Sequence, residues 1–496
     1  MEEIKKTEII QTGESLGDKI DQAMVEKTDE EVEKINEEEL EFFDAAIELA
    51  YKPSATSIGP SDTADSDEDR EVLLTREEYI EKHSSGITAD GRDYIITDNS
   101  DGSLTRKTYL LSGSAAGTIT VKGFGNCNAK RIGTGHGDAV REGDGPGDAL
   151  REGDGNGNAD RRDEGDGSSL RSGDGSGSAI RSGAGNGSAW RHDAGAGDAE
   201  RIGAGNGNAR RIGLGDGSAI RSGTGNGHAK REGSGDGYAS RDGAGQGNAF
   251  RIDGGNGNAY RSGQGSGNAY RQGAGVGRAV RDGIGTGFAD KSGTGDGDAI
   301  RDGVGQGHAY NTSGGTGDSF RLGCGIGNAF REGGGNGNAK RSGAGAGDAT
   351  RGGSGLGNAV RNGPGDGDAK RINDGSGDAT REGQGDGSAI RTGFGRGDAI
   401  RSGCGRGHAN RNDAGAGKAL NDNLSSGRAF RSGPGEGNAE RIGHGSGDAV
   451  RIGPGPGDAI RGGSGDGNAM HNGSGTGVAR RTGTGAGSAT QECVCP

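Results

Sequence analysis

The chain has 496 residues, of which 115 are Gly, while hydrophobic residues make up 27% and aromatic residues only 4%. An average globular domain is about 45–50% apolar, so this composition excludes a large hydrophobic core. The net charge of the chain is −14, and its acidic character lies in residues 1–120, which contain 12 Lys and Arg and 30 Asp and Glu, a net charge of −18. The remainder is nearly neutral, so general nucleic-acid binding, which needs an uncompensated basic surface, is not expected.

Residues 1–52 are predicted to form an acidic helical segment. Leu40, Phe43, Ile47 and Tyr51 are spaced three, four and four residues apart, which places them on one helical stripe. The stripe would pack within its own domain, against a partner, or against an identical copy to form a homo-oligomer. The N-terminus has no apolar core of a signal peptide, and no segment is apolar enough to span a membrane. We therefore expect a protein made in the cytoplasm without a signal peptide.

Two short regions separate this segment from the repeats. Residues 53–70 are rich in Pro, Ser and Asp, which is typical of a linker. Residues 71–120 predict a small mixed α/β module that caps the first edge of the repeats. In it, Thr75 and Glu78 have the spacing of a helix capping box. Two β-rich segments flank the sequence DNSDG, which indicates a hairpin.

A period of ten residues runs through residues 121–490, with the frame R-x-G-x-G-x-G-x-A-x. Between residues 131 and 490 the first position is Arg in 32 of 36 units, the seventh is always Gly, and the ninth is Ala in 34. A flexible spacer has no physical reason to keep Ala at one position, so the units should be ordered and stacked. Small residues at alternate positions indicate strands and argue against helices.

We therefore predict a mainly β fold, a narrow parallel β-solenoid with ten residues per coil, preceded by the helical and mixed N-terminal region. Ten residues of strand trace a closed path of only ~33 Å. The interior would then be so thin that only the hydrogen and methyl substituents of Gly and Ala fit. A Gly→Val change at the seventh position should force the two sheets apart.

The arginines at the first position should form a ladder along one corner. Neighbouring guanidinium groups would splay outward and pair with nearby acids and with the eighth position, which is Asp, Asn or Ser in 27 of 36 units. We favour a structural role for this arginine ladder. A row of anion-binding sites is the alternative.

The tenth position should face outward, and its aromatic residues occur in neighbouring units. Aromatic rings beside arginines would form a platform for sugar rings or for a protein partner, although stacking for stability alone is an equal alternative. The candidate binding residues are Trp190, Phe250, Arg251, Tyr260, Arg261, Tyr270, Arg271, Tyr310, Phe320, Arg321, Phe330 and Arg331.

Catalytic and metal-binding patterns are not found in the repeats. The period of ten and the low share of Asp at the eighth position, 11 of 36 units, differ from calcium-binding nonapeptide repeats. No nucleophile and base can be paired, so we expect no enzymatic activity, no cofactor and no metal. Residues 491–496 form a C-terminal tail in which the role of Cys493 and Cys495 stays open.

The unit RSGDGSGSAI resembles the Gly-rich repeat regions of phage-encoded fibre and adhesin-like structural proteins. The resemblance covers residues 121–490 and rests on the style of the repeat. It implies a rod-like structural or adhesive protein of the virion, attached through its N-terminal segment and contacting surface polysaccharide or a virion protein. Two alternatives remain: an intracellular scaffold or binding module for an anionic partner along the arginine ladder, and a disordered Gly-rich spacer.

Overall fold

The computed structural model describes residues 70–74, 94–97, 106–112, 114, 116–123, 126–412 and 414–492. The parts of the prediction that lie outside these residues are the helical segment 1–52, the linker up to residue 69, the capping box of Thr75 and Glu78, and Cys493 and Cys495. The chain divides into two compact units, Met1–Phe250 and Arg251–Pro496. Among the described residues, no helix is long and apolar enough to cross a membrane.

In the first unit the strands belong to two sheets. The even sheet consists of β1 (Arg70–Leu74), β4 (Ile119–Gly123), β6 (Ala139–Glu142), β8 (Ala159–Arg162), β10 (Ala179–Ser182), β12 (Ala199–Ile202), β14 (Ala219–Ser222) and β16 (Ala239–Asp242). The odd sheet consists of β2 (Tyr94–Thr97), β3 (Arg106–Ser112), β5 (Cys127–Ile132), β7 (Ala149–Glu152), β9 (Ser169–Ser172), β11 (Ala189–Arg191), β13 (Ala209–Ile212) and β15 (Ala229–Glu232). The strand β17 (Ala249–Ile252) spans the boundary between the units.

The second unit repeats this arrangement. Its even sheet consists of β18 (Ala259–Arg261), β20 (Ala279–Arg281), β22 (Ala299–Arg301), β24 (Ser319–Arg321), β26 (Ala339–Ser342), β28 (Ala359–Asn362), β30 (Ala379–Glu382), β32 (Ala399–Gly403), β34 (Ala419–Asn423), β36 (Ala439–Arg441), β38 (Ala459–Arg461) and β40 (Ala479–Arg481). Its odd sheet consists of β19 (Ala269–Gln272), β21 (Ala289–Ser292), β23 (Ala309–Asn311), β25 (Ala329–Arg331), β27 (Ala349–Arg351), β29 (Ala369–Arg371), β31 (Ala389–Thr392), β33 (Ala409–Asn412), β35 (Ala429–Ser432), β37 (Ala449–Ile452), β39 (Ala469–Asn472) and β41 (Ala489–Glu492).

Strand pairing in the repeats is parallel and joins residues twenty positions apart, such as Ala179 with Ala199 and Ala359 with Ala379. The predicted parallel β-solenoid of decapeptide units is therefore confirmed. The predicted coil of ten residues corresponds to half of the observed circuit. Each decapeptide supplies one short strand and one connection, so the chain reverses once per unit and needs two units to return to the same sheet.

Burial alternates along most strands of the repeats, whereas β6, β7, β8, β9 and β37 bury the tenth position as well. The ninth and first positions point inward, and the tenth lies on the outer face, as the buried, intermediate, buried pattern of β25 shows. The predicted outward tenth position is therefore confirmed. In the interior the alanines of opposite sheets meet, and Ala379, Ala389 and Ala399 form one buried cluster. The methyl groups thus let the two sheets approach closely.

The interior also holds the arginine ladder, which corrects the prediction that only hydrogen and methyl substituents fit there. The repeat arginines are at most 1% exposed from Arg131 to Arg461. The role of these arginines follows from the glycine-rich connections between successive strands, in which carbonyl groups point into the interior. Buried carbonyl oxygens need donors, and the long guanidinium groups reach them under each connection.

The invariant glycine of the seventh position is required by the stacking of turns. Gly347 has a φ of +148°, which side-chain-bearing residues rarely adopt. A Cβ atom at Gly347 would lie 2.1 Å from the carbonyl oxygen of Gly327 in the preceding turn. The predicted clash therefore exists, but it acts between successive turns and not between the two sheets.

The N-terminal edge of the first unit contains the predicted hairpin. The strands β2 and β3, which flank DNSDG, pair antiparallel with Tyr94 opposite Tyr109, so this hairpin is confirmed. The strand β3 then pairs parallel with β5, and β1 pairs parallel with β4. Tyr109, Ile119, Val121 and Cys127 form a buried apolar cluster beneath this edge.

Candidate functional site

The five predicted arginines of the binding site lie inside the solenoid. Each has 0% of its surface exposed, and they are Arg251, Arg261, Arg271, Arg321 and Arg331. A ligand on the surface cannot reach buried guanidinium groups. The arginine ladder therefore does not provide the row of anion-binding sites considered as an alternative.

Arg331 shows what these side chains do. Its Nε donates to the carbonyl oxygen of Gly317 at 2.7 Å, Nη1 to that of Ser313 at 3.0 Å, and Nη2 to that of Gly315 at 2.6 Å. Nη1 also donates to the carbonyl oxygen of Glu332. One guanidinium thus donates hydrogen bonds to the inward carbonyl oxygens of the preceding connection and to one carbonyl oxygen of its own. The five N–H donors of Arg suit this task better than those of any other side chain.

Burial leaves these arginines cationic at neutral pH. Burial and the neighbouring Arg251 lower the pKa of Arg271 to about 10, which is still well above 7. Burial also lowers the pKa of Arg331. Carbonyl dipoles stabilise each charge through charge-assisted hydrogen bonds. The ladder is therefore structural, as favoured from the sequence.

The eighth position corrects a second expectation, because its acceptors serve the backbone. Asn338 Oδ1 accepts from the N–H of Asn358 at 2.9 Å, and Asn358 Oδ1 accepts from the N–H of Asp378 at 2.9 Å. His308 does the same through Nδ1, which accepts from the N–H of Asn328 at 3.1 Å. Asp, Asn and Ser are therefore favoured here because a short acceptor side chain bonds the next turn of the stack.

The predicted aromatic residues are divided between the two faces, since consecutive decapeptides alternate between sheets. Tyr260 and Phe320 lie on β18 and β24 of the even sheet. The odd sheet of the second unit holds Tyr270, Tyr310 and Phe330. The runs of three consecutive aromatic units in the sequence are therefore not contiguous surfaces.

The two remaining aromatic residues are in the first unit or at its end. Trp190, on β11, pairs in register with Leu170 on one side and Arg210 on the other. The ring of Phe250 lies 6.0 Å from that of His228.

The odd sheet of the second unit carries an aromatic cluster, defined here as Tyr270, Phe288, His308, Tyr310 and Phe330. Tyr270 and Phe288 meet edge to face at 5.3 Å, and Phe288 and Tyr310 at 6.1 Å. The rings of Tyr310 and Phe330 are parallel at 5.2 Å with an interplanar angle of 2°. His308 lies 5.5 Å from Tyr310. These are favourable aromatic geometries, so the rings form one surface.

Polar groups orient and border the aromatic cluster. Asn268 donates from Nδ2 to the hydroxyl of Tyr270 at 3.0 Å, and its Oδ1 accepts from the N–H of Phe288 at 2.9 Å. Asp290 occupies the register position between Tyr270 and Tyr310. Burial and this carboxylate raise the pKa of Tyr310, so its phenol is neutral and can donate or accept a hydrogen bond at pH 7.

Sequence reasoning missed Phe288 and His308 because both occupy the eighth position, where small acceptors predominate. The sequence does contain a signal for them. The eighth position comes directly before each strand and lies two residues from the tenth, so in extended backbone both side chains face outward. Comparing units twenty residues apart would have brought these residues together.

Comparison with known proteins gives no function for the aromatic cluster. No protein-family model matches the chain, and no curated protein or solved structure shows significant similarity to it. Within the described ranges, no group of three or more His, Cys, Asp or Glu side chains could hold a metal ion.

Proposed function

We propose that the protein is a non-enzymatic structural or adhesive repeat protein whose solenoid serves as a rod-like shaft. The observation that supports adhesion is the aromatic cluster on the outer face of the odd sheet. The shaft is supported by the way each turn bonds to the next through backbone ladders, eighth-position side chains and buried arginines. This regular bonding replaces the large apolar core that the composition excludes.

Surface polysaccharide is the ligand class that fits the aromatic cluster. A pyranose ring presents an apolar C–H face and a rim of hydroxyl groups. The parallel rings of Tyr310 and Phe330 match the apolar face, and the carboxylate of Asp290 and the hydroxyl of Tyr310 match the rim. Binding sites of this kind combine aromatic surface with a few oriented polar groups.

The adhesion proposal is tested with Phe330→Ala and Tyr310→Ala in the full-length protein. Removing either ring should weaken binding to host-cell polysaccharide about tenfold or more, since one aromatic contact is worth about 1.4 kcal/mol or more. Phe320→Ala is the matched control, because Phe320 has the same repeat position on the opposite sheet. Equal binding by all three variants and the parent would contradict a role for the cluster.

The particular setting we propose is a phage virion, with the protein made in the cytoplasm and assembled into particles. In this proposal residues 1–120 attach to a virion protein or to another copy of the chain, and the repeats extend outward. Mass spectrometry of purified particles is the direct measurement. Detection of the repeats at a fixed ratio to the other structural proteins is expected, and their absence from particles would contradict the proposal.

A further inference from the structure

One decapeptide of the second unit departs from the repeat where an open cleft forms. In residues 421–430, NDNLSSGRAF, Ser425 is the only fifth-position residue other than Gly between 131 and 490. Ser425 and Ser426 line the cleft, together with Arg406 from the preceding turn and His444 and Ser446 from the following turn. The departure from the repeat and the cleft therefore coincide.

Backbone bonding along the sixth position is interrupted at this cleft. Before it, Asp366 Oδ1 accepts from the N–H of Asp386 at 2.8 Å, and Asp386 Oδ1 accepts from the N–H of Arg406 at 2.7 Å. Arg406 has no acceptor to offer the next turn. Within the described part of the chain, the N–H groups of Ser426 and Ser446 make no hydrogen bond, so both remain available to a ligand.

The side chains of the cleft are also mainly donors. The guanidinium group of Arg406 has no hydrogen bond or ion pair with any described residue, and it is exposed. His444 bonds to Ser464 through Nδ1 at 2.6 Å, which leaves Nε2 of the ring. The hydroxyls of Ser426 and Ser446 are exposed beside them. Guanidinium, backbone amide and hydroxyl donors that line one cleft suit an oxyanion.

We propose that this cleft binds a tetrahedral oxyanion, the phosphate or sulfate ester group of a ligand. The guanidinium of Arg406 supplies the charge, and the amides and hydroxyls of Ser426 and Ser446 supply neutral donors. Asp386 also lines the cleft, and its Oδ1 already accepts from the Arg406 amide. The site is separate from the aromatic cluster and goes beyond the proposed function.

The first experiment measures binding of inorganic phosphate and of inorganic sulfate to the full-length protein by isothermal titration calorimetry. Arg406→Gln should weaken binding about tenfold or more. Arg396→Gln is the matched control, because Arg396 is also an exposed sixth-position arginine, on the connection from β31 to β32. Equal weakening by both variants would show nonspecific charge attraction and overturn the proposal.

The second experiment separates binding from folding with Ser426→Asp. Asp is an ordinary sixth-position residue, and Asp466 Oδ1 accepts from the N–H of Ala486 at 2.7 Å. The variant should therefore retain or raise the melting temperature while its new carboxylate repels the anion and abolishes binding. Unchanged anion binding by Ser426→Asp, or no binding of either anion by the parent protein at about 10 mM, would overturn the proposal. Binding to neutral polysaccharide through the aromatic cluster is expected to be unaffected.

Discussion

At the scale of single residues, the arginine ladder shows that a buried side chain can be selected for its donors. Two units replace Arg by Asn, and each also replaces the third-position Gly. Asn311 Nδ2 donates to the carbonyl oxygen of Gly297 at 2.8 Å, and Asn311 Oδ1 accepts from the hydroxyl of Ser313 at 2.7 Å. Ser313 is fully buried. The shorter amide and the added hydroxyl together occupy the interior that a guanidinium fills elsewhere.

This pairing predicts strong coupling between positions 311 and 313. Asn311→Arg alone should lower the free energy of unfolding by about 2 kcal/mol, because the interior already contains the Ser313 side chain and would be overpacked. Asn311→Arg combined with Ser313→Gly restores the common repeat and should recover most of that loss. Chemical denaturation of both variants measures the coupling. Additive effects would show that the two residues act independently.

Lys291 predicts a pH dependence of stability. Burial and the charges of Arg271 and Arg331 lower the pKa of Lys291 from 10.5 to about 8. Between about pH 8 and 10.5 the unfolded chain is therefore protonated at Lys291 to a greater extent than the folded chain. The contribution of Lys291 to the free energy of unfolding rises with pH across that window. Below about pH 8 Lys291 is protonated in both the folded and the unfolded chain, and the full cost of burying its charge lowers the free energy of unfolding.

The measurement is the free energy of unfolding of the parent and of Lys291→Arg from pH 7.5 to 10. The parent should gain about 2–3 kcal/mol relative to the variant as the pH rises, because the arginine stays protonated over most of this range. Parallel curves for the two proteins would contradict the assigned cause.

At the scale of elements, the connections decide how closely turns can stack. Gly347→Ala should destabilise the second unit by about 4 kcal/mol or more, since the methyl group meets the carbonyl oxygen of Gly327 and the backbone has a positive φ. Gly352→Ala is the control. A Cβ at Gly352 has its nearest neighbour, Glu332 Cγ, at 3.8 Å, so its effect should be within about 0.5 kcal/mol. Similar losses for both would contradict the stacking argument.

Much of the element structure follows from the sequence. The two-residue periodicity of small side chains predicts strands, and the invariant seventh Gly predicts a backbone that excludes a side chain. Left-handed turns are also readable at the third position, where Asp193, Asp253 and Asn373 replace Gly and keep φ values of 82°, 85° and 76°. The partner of the seventh-position clash was not predictable, since it depends on which residue of the preceding turn lies against Gly347.

At the scale of the whole molecule, the twenty-residue circuit decides which side chains share a face. Inserting one RSGDGSGSAI unit after residue 300 should move Tyr310 and Phe330 to the other sheet relative to Tyr270 and Phe288, and polysaccharide binding should be lost. The same insertion after residue 400 lies beyond the cluster and should leave binding intact. Full binding by the first insertion would contradict the circuit of two decapeptides or the role of the cluster.

The sequence by itself determined that the chain is a stack of decapeptides with parallel strands, Ala inside and the tenth position outside, because these features depend on local periodicity and on side-chain size. Only the tertiary structure decided the circuit of twenty residues, the inward course of the arginines, and the meeting of Phe288 with Tyr310. These depend on how the ends of a turn close in space. The sequence pattern of a ten-residue repeat is identical whether one unit or two units complete the circuit.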